Sequence, residues 1–217
     1  MAVRKARPQR PAGRRSADCA ELRPVGVIRS TLTSRGEAPK QGHEGAPDAW
    51  LEIHPFALEA LDGGRIGIGA QSVGLAQGAL EAATRYAKHR RTFGHPIAEY
   101  QAIQWMLADM QTEIDAARML TYQAAQVRDD EIREKPSGTP GPSRLGPHSA
   151  RAKLYASEMA NRVAYKAVQI HGSLGYSRES DVERYYRDAR VLTIYEGTSE
   201  MQRLVIARDL LRAAGGR

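Results

Sequence analysis

A single cysteine, Cys19, occurs in the 217 residues. That excludes an internal disulfide and any cysteine-built metal cluster, and it agrees with a reducing compartment. No apolar run approaches the ~18 residues that would suggest a membrane helix, and the first residues lack the apolar stretch of a secretory signal. The expectation is a soluble, cytoplasmic protein, with a mitochondrial matrix location left open. Glu-x-x-His, the pattern that puts a carboxylate and an imidazole on one helix face of a di-iron bundle, is absent, and the six histidines are scattered, so no metal site is expected. Phe, Trp and Tyr are missing altogether between Met1 and Ala49, where Pro8, Pro11, Pro24, Pro39 and Pro47 interrupt any helical register. A segment of that composition buries too little apolar surface to offset the entropy of ordering it. Residues 1–50 are therefore expected to be a disordered basic tail. Of the formal charge of +7, most resides there, with ten basic against five acidic residues in 1–50 and 22 against 20 in the remainder. A transit peptide and a nucleic-acid arm are alternative readings of Val3-Arg4-Lys5-Ala6-Arg7. The prolines spoil the amphipathic helix a transit peptide needs, and a solvated tail is preferred.

Residues 51–217 read differently. Ile66, Ala70, Val73, Ala76, Leu80, Ala83 and Ala87 step by three or four, which predicts a helix over about 64–90 with that stripe inward. Gly94 and Pro96 close it. A second helix is predicted from about Ala98 to Val127, with Ile103, Met106, Met110, Ile114, Ala117, Leu120 and Ala124 inward. Residues 135–148 hold four prolines and three glycines and are expected to form a loop. A third helix carries Tyr155, Met159, Val163, Ala167 and Ile170 to its end at Gly172, a short helix follows near Asp181–Ala189, and a last one begins after Gly197-Thr198-Ser199, where Thr198 or Ser199 can cap. Strand signals are nearly missing. The predicted architecture is all-α: an antiparallel four-helix bundle with a short extra helix, preceded by the tail. Gly67, Gly69, Ala70, Gly74 and Gly78 are expected to let a neighbouring helix come close.

Two glycine motifs are set aside. Gly67-Ile68-Gly69 lacks both the third glycine of a dinucleotide fingerprint and a preceding strand, and Gly172-Ser173-Leu174-Gly175 reads as a helix end. The segment from Arg184 to Glu200 stands apart. It sets Glu196 in a short apolar break between two helices, just before a glycine and a helix start, where peptide N–H groups favour acceptor oxygens. On pattern alone, Glu196 could equally serve only the positive end of the next helix.

Several separated segments then occur in one order: Leu61-Asp62-Gly63-Gly64-Arg65-Ile66, Arg90-Arg91-Thr92-Phe93-Gly94, Glu99-Tyr100-Gln101-Ala102-Ile103-Gln104, Ala167-Val168-Gln169-Ile170-His171-Gly172 and Ile194-Tyr195-Glu196-Gly197-Thr198-Ser199-Glu200-Met201-Gln202-Arg203. Together they resemble the C-terminal helical domain of the acyl-CoA dehydrogenases, FAD enzymes that desaturate acyl-CoA thioesters. The resemblance implies that Glu196 is the base that removes the α-proton while the β-hydrogen leaves as hydride to the flavin. A free carboxylate near pKa 4.3 is a feeble base toward a C–H. The resemblance further implies that the Glu196 backbone N–H acidifies the substrate by binding the thioester carbonyl. Gly197 falls at a substrate-contacting position, and Asp62 and Arg65 near the CoA portion. Arg90, Arg91, Thr92 and Phe93 resemble the segment that meets the pyrophosphate of a flavin held mainly by a neighbouring subunit, a task suited to a planar guanidinium. Gln101, Gln169, Ile170, His171, Gly172, Ser173, Thr198, Ser199 and Glu200 fall at further FAD-contact positions.

This sequence departs from the family in placing Ser173 where a second glycine usually follows the histidine, and in the proline-rich 135–148. Residues 1–50 resemble neither the helical nor the β-domain that precedes this one in the family. A minority of the family carries the base on the first helix, and Gly63 and Gly64 offer no carboxylate there. The expected function is FAD-dependent dehydrogenation of acyl-CoA as a homo-oligomer or with chains that carry the missing domains, with an electron-transfer flavoprotein as a candidate acceptor. The alternative is a non-catalytic assembly module or truncated remnant. The near-neutral charge of residues 51–217 argues against a nucleic-acid module.

Overall fold

The computed structural model describes residues 55–134 and 144–215. The expected tail over 1–50 and the part of the expected loop over 135–143 lie outside them. Five helices follow in order: α1 (Pro55–His89), α2 (Gln101–Glu134), α3 (Leu145–His171), α4 (Asp181–Val191) and α5 (Ser199–Ala213). The all-α bundle expected from the apolar periodicity is thus the observed architecture.

Side-chain pairs define how the helices run. Gly69 of α1 lies against Thr121 of α2 and Gln77 accepts from Arg118, so numbers rise on α1 as they fall on α2. Arg162 and Lys166 of α3 meet Glu113 and Asp109 of α2, which makes that pair antiparallel as well. α1 and α3 are consequently parallel and share their N-terminal end with the C-terminal end of α2. α4 returns along α1 and α3, and α5 packs against α3. The core between them is rich in alanine. Ala76, Leu80, Ala83 and Ala87 meet Met110, Ile114 and Ala117, and α3 inserts Ala156, Met159, Val163, Ala167 and Ile170, all buried. Small side chains on facing stripes let helices approach until the few large ones interlock.

Three expectations need correction. Ala70 is exposed, not inward, and Gly67 and Gly74 face open space. Toward the N-terminus of α1 the inward face shifts off the seven-residue stripe, so that Arg65, Gly69 and Ser72 are buried there while Ile66 and Val73 are half-buried, and of the small residues Gly69 and Gly78 are the ones packed on neighbouring helices. The expected loop over 135–148 ends early, because Leu145 begins α3 and Pro147 lies in its first turn, where a missing N–H costs nothing. Helix α1 starts earlier than predicted, at Pro55, and α2 starts later, at Gln101 after a short 3-10 turn over Ile97–Glu99, and runs on to Glu134.

A feature the periodicity did not announce follows α1. Arg91–Thr92 and His95–Pro96 form a minimal antiparallel hairpin, with Arg91 opposite Pro96 and Thr92 opposite His95. Its two turn residues, Phe93 and Gly94, have φ of 49° and 88°, the signs a two-residue I′ turn requires. Glycine takes that conformation freely, whereas Phe93 pays a penalty for it. The Tyr100 hydroxyl donates to the Thr92 carbonyl at 2.8 Å and buried Ile97 anchors the return.

Burial at the bundle centre predicts a measurable contrast. Ile114→Ala is expected to cost about 2–5 kcal/mol in urea unfolding, whereas Ala70→Ser is expected to stay within about 0.5 kcal/mol of wild type. A large loss at Ala70 would contradict its outward placement.

Candidate functional site

The chain turns from α4 into α5 through residues 192–198, and Leu192, fully buried, anchors the turn. Glu196 has φ 54° and Gly197 φ 88°. A left-handed conformation outside glycine costs about 1–3 kcal/mol and persists only where the surroundings impose it. Here the imposing groups are visible. The Gln202 side-chain amide donates to the Glu196 carbonyl at 3.1 Å and to the Gly197 carbonyl at 2.9 Å, and the Lys153 ammonium donates to the Gly197 carbonyl at 2.7 Å. The Ser199 N–H reaches back to the Thr193 carbonyl. Thr198 caps α5, accepting from the Met201 N–H.

The carboxylate of Glu196 lies over α1. A Cβ placed on Gly64 would stand 2.7 Å from its Oε2, so the absence of a side chain at Gly64 makes room for it. Flanking Gly64 on the same helix, Arg65 pairs with Asp62 at 2.6 Å, both buried, and the Ser149 hydroxyl donates to the same Asp62 oxygen at 3.2 Å. Burial raises the Asp62 carboxyl above its ordinary value, outweighing the lowering by Arg65 and Ser149. Tyr195 is tied to Gln71 of α1 by a 2.7 Å hydrogen bond. Lys153 is fully buried. Burial pushes its ammonium down to about 8, with Arg65 adding to the shift and Glu158, Glu196 and Glu200 opposing it. Three buried polar atoms among the described residues, Arg65 Nε, Ser199 Oγ and Gln202 Oε1, have no hydrogen-bond partner.

The residues picked from the sequence therefore fall into two groups. Asp62, Arg65, Glu196, Gly197, Thr198, Ser199 and Glu200 gather at the N-terminal end of α1 and α3. Arg90, Arg91, Thr92, Phe93, Gln101, Gln169, Gly172 and Ser173 gather at the opposite end, where the α1 C-terminus, the hairpin, the start of α2 and the end of α3 meet. At 1.5 Å per residue the two groups stand roughly 37 Å apart along α1. In the second group the side chains of Arg90, Arg91, Gln101, Gln169 and Ser173 are exposed, and Phe93 is 97% exposed. Two members of that end point inward instead. Ile170 is core, and the His171 ring stacks on Tyr86 at 4.3 Å and donates from Nδ1 to the Ala167 carbonyl, its pKa lowered by burial. Ser199 likewise turns its hydroxyl inward. Lys153 and Ser149 lie outside every sequence motif, and Gln202 lies inside the one around Glu196 without a role of its own. The one available signal was a lysine on the buried stripe between Ala152 and Ala156.

No helix among the described residues is long and apolar enough to cross a membrane, and no group of potential ligands that could hold a metal ion occurs among them. Residues 55–211 match the family described as acyl-CoA dehydrogenase, C-terminal domain. The short-chain specific acyl-CoA dehydrogenase of Rattus norvegicus mitochondria is 46% identical over 175 residues, 81% of this chain and 39% of the relative. Subunit CarC of the caffeyl-CoA reductase-Etf complex of Acetobacterium woodii is 49% identical over 156 residues, 72% of this chain and 38% of the relative. The solved structure of butyryl-CoA dehydrogenase from Megasphaera elsdenii superposes with a TM-score of 0.65 at 45% identity, covering 72% of this chain and 38% of that one. The chain thus spans less than two-fifths of the length of these relatives.

Proposed function

The chain belongs to the acyl-CoA dehydrogenase family, through its C-terminal domain, and from that premise we propose that it is the base-bearing part of an FAD-dependent enzyme that dehydrogenates acyl-CoA thioesters. The observation that carries this reading is the placement of Glu196. Its carboxylate stands over a side-chain-free stretch of α1, on a backbone pinned in a minority conformation. In this role Glu196 removes the α-proton of the thioester, and the carbon–carbon double bond forms as the β-hydrogen leaves with its electron pair. FAD, when bound, supplies the acceptor for that hydride. Because the carbonyls of Glu196 and Gly197 are held inward by Gln202 and Lys153, the trans peptide places the N–H groups of Gly197 and Thr198 on the outer side. Beside the Glu196 N–H, which the family resemblance assigns to the thioester carbonyl, donors fixed there would favour charge developing on that oxygen.

The donor chemistry at both ends fits a flavin dinucleotide. Arg90 and Arg91 present guanidinium groups suited to a diphosphate. Phe93 offers an uncovered ring on a hairpin stiff enough to hold it at a positive φ. Gln101, Gln169, Gly172 and Ser173 add exposed polar positions, and Thr198 and Glu200 add theirs beside Glu196. A separation of roughly 37 Å is more than a single dinucleotide bridges, so the two ends serve two flavins in an assembly of several chains. The hairpin end then contacts a flavin held mainly elsewhere. Exposed Met201, Leu204, Leu210 and Leu211 on α5 supply apolar surface for that association. The remaining acyl-pocket and flavin contacts come from polypeptide outside residues 55–215. An electron-transfer flavoprotein is the proposed acceptor, and a cytoplasmic setting accompanies the reading.

This predicts that the chain by itself retains FAD weakly. In fluorescence titrations Arg90→Ala is expected to weaken retention further, since a charge-assisted contact contributes about 1.5–3 kcal/mol. A stoichiometric yellow flavoprotein recovered after desalting the chain alone would overturn the division of the flavin site.

A further inference from the structure

Lys153 has no part in the motifs that point to Glu196, yet it is fully buried and its single hydrogen bond shown among the described residues goes to the Gly197 carbonyl, at 2.7 Å. An ammonium is an expensive group to bury, and a neutral residue of similar length would pack among Ala152 and Ala156 without that cost. The Gly197 carbonyl already accepts from Gln202, so satisfying that oxygen does not require a second donor. What the charge adds is a stronger, shorter bond to the peptide that follows Glu196.

We propose that Lys153 is a positioning residue for the base-bearing turn: its buried ammonium, acting with the Gln202 amide, clamps the Gly197 carbonyl and so fixes the peptides on which Glu196 is displayed. The proposal rests on the reading of Glu196 as the base only for its catalytic meaning; the clamp itself is a property of the turn. Lys153 faces Arg65 from α1, Glu158 on its own helix, Glu196 in the turn and Glu200 at the start of α5. Its titration separates positioning from mere packing. With a folded pKa of about 8 against an ordinary 10.5, the unfolded chain holds a proton between those values that the folded chain lacks. Raising the pH through that window therefore favours the fold as far as this group is concerned. The same step removes the charge from the clamp, so the turn loosens while this contribution to global stability improves.

The test uses the full chain, without flavin or substrate, as wild type, Lys153→Met, Lys153→Arg and Glu196→Gln. Amide hydrogen exchange is followed at residues 195–198, with α2 as the internal reference, beside thermal unfolding. In Lys153→Met the turn is expected to exchange at least about tenfold faster than in wild type, the local-opening signature of a lost constraint. Lys153→Arg is expected to recover part of the protection, and Glu196→Gln to retain it, because the clamp holds main-chain carbonyls. Exchange at 195–198 unchanged in Lys153→Met, with or without a fall in melting temperature, overturns the proposal. If Lys153→Met does not fold, the wild-type protein decides the matter. The Gly197 carbonyl ¹³C resonance should shift together with the titration of Lys153 Nζ, followed on the same sample, and a carbonyl resonance that stays flat while Nζ loses its proton overturns it. Should Glu196 prove not to be the base, flavin reduction would survive Glu196→Gln while the exchange result stood unaltered, so the two failures are distinguishable.

Discussion

Glu196→Gln is expected to lower the rate of flavin reduction by acyl-CoA by about 10²–10⁴-fold, the usual cost of deleting a general base. The amide preserves the length and shape of the side chain. It leaves the Glu196 and Gly197 carbonyls with the donors that hold them, so binding of acyl-CoA and FAD should change little. What it cannot do at neutral pH is accept a proton from carbon. The measurement is stopped-flow flavin reduction by a panel of acyl-CoA thioesters, with the chain assembled with polypeptide that completes the flavin site. Wild-type reduction by this variant would show that another group takes the proton, and the roles proposed for the turn would fall with it.

Gly64→Ala should damage the same reaction from the other side of the site while leaving the fold intact. A Cβ at that position would stand 2.7 Å from Glu196 Oε2 and 2.9 Å from its Cδ. The obstructed group is the free end of a flexible side chain, so it swings away and no backbone moves. Gly64 lies inside α1, where alanine is about 0.8–1.0 kcal/mol better than glycine, so thermal stability should hold or rise. The carboxylate, however, is displaced by something of the order of 1 Å, and such a misplacement costs about 10²-fold in rate. A variant with raised stability and sharply reduced flavin reduction is the expected pair of results. Retention of the wild-type rate would mean that the carboxylate takes its working position away from Gly64.

The helices and their inward faces were readable because each depends on a period of three or four residues, a local property of the chain. Spacing alone puts Met110, Ile114, Ala117 and Ala124 on α2 and Met159, Val163, Ala167 and Ile170 on α3 on inward faces, and all of them are buried. The Tyr-Glu-Gly-Thr stretch was readable for a similar reason, since its chemistry lies in consecutive residues. Periodicity failed at Ala70, where α1 no longer has a neighbour on that side, and at Phe93-Gly94, where a two-residue hairpin is too short to show an alternating pattern.

The sequence by itself therefore determined that this is a helical chain with one distinctive carboxylate between two helices and a family resemblance carried by separated motifs. Only the tertiary structure decided what surrounds that carboxylate. Gly64 meets Glu196 across 132 residues of chain, Lys153 reaches Gly197 across 44, and Tyr195 reaches Gln71 across 124. No local preference encodes such pairs. They exist because α1 and α3 run parallel with their starts at one end and α4 brings the chain back to it. The same packing separated the motifs that the sequence had presented as one set, leaving the hairpin and Glu196 at opposite ends of α1, because helices of this length are rigid and cannot fold back on themselves.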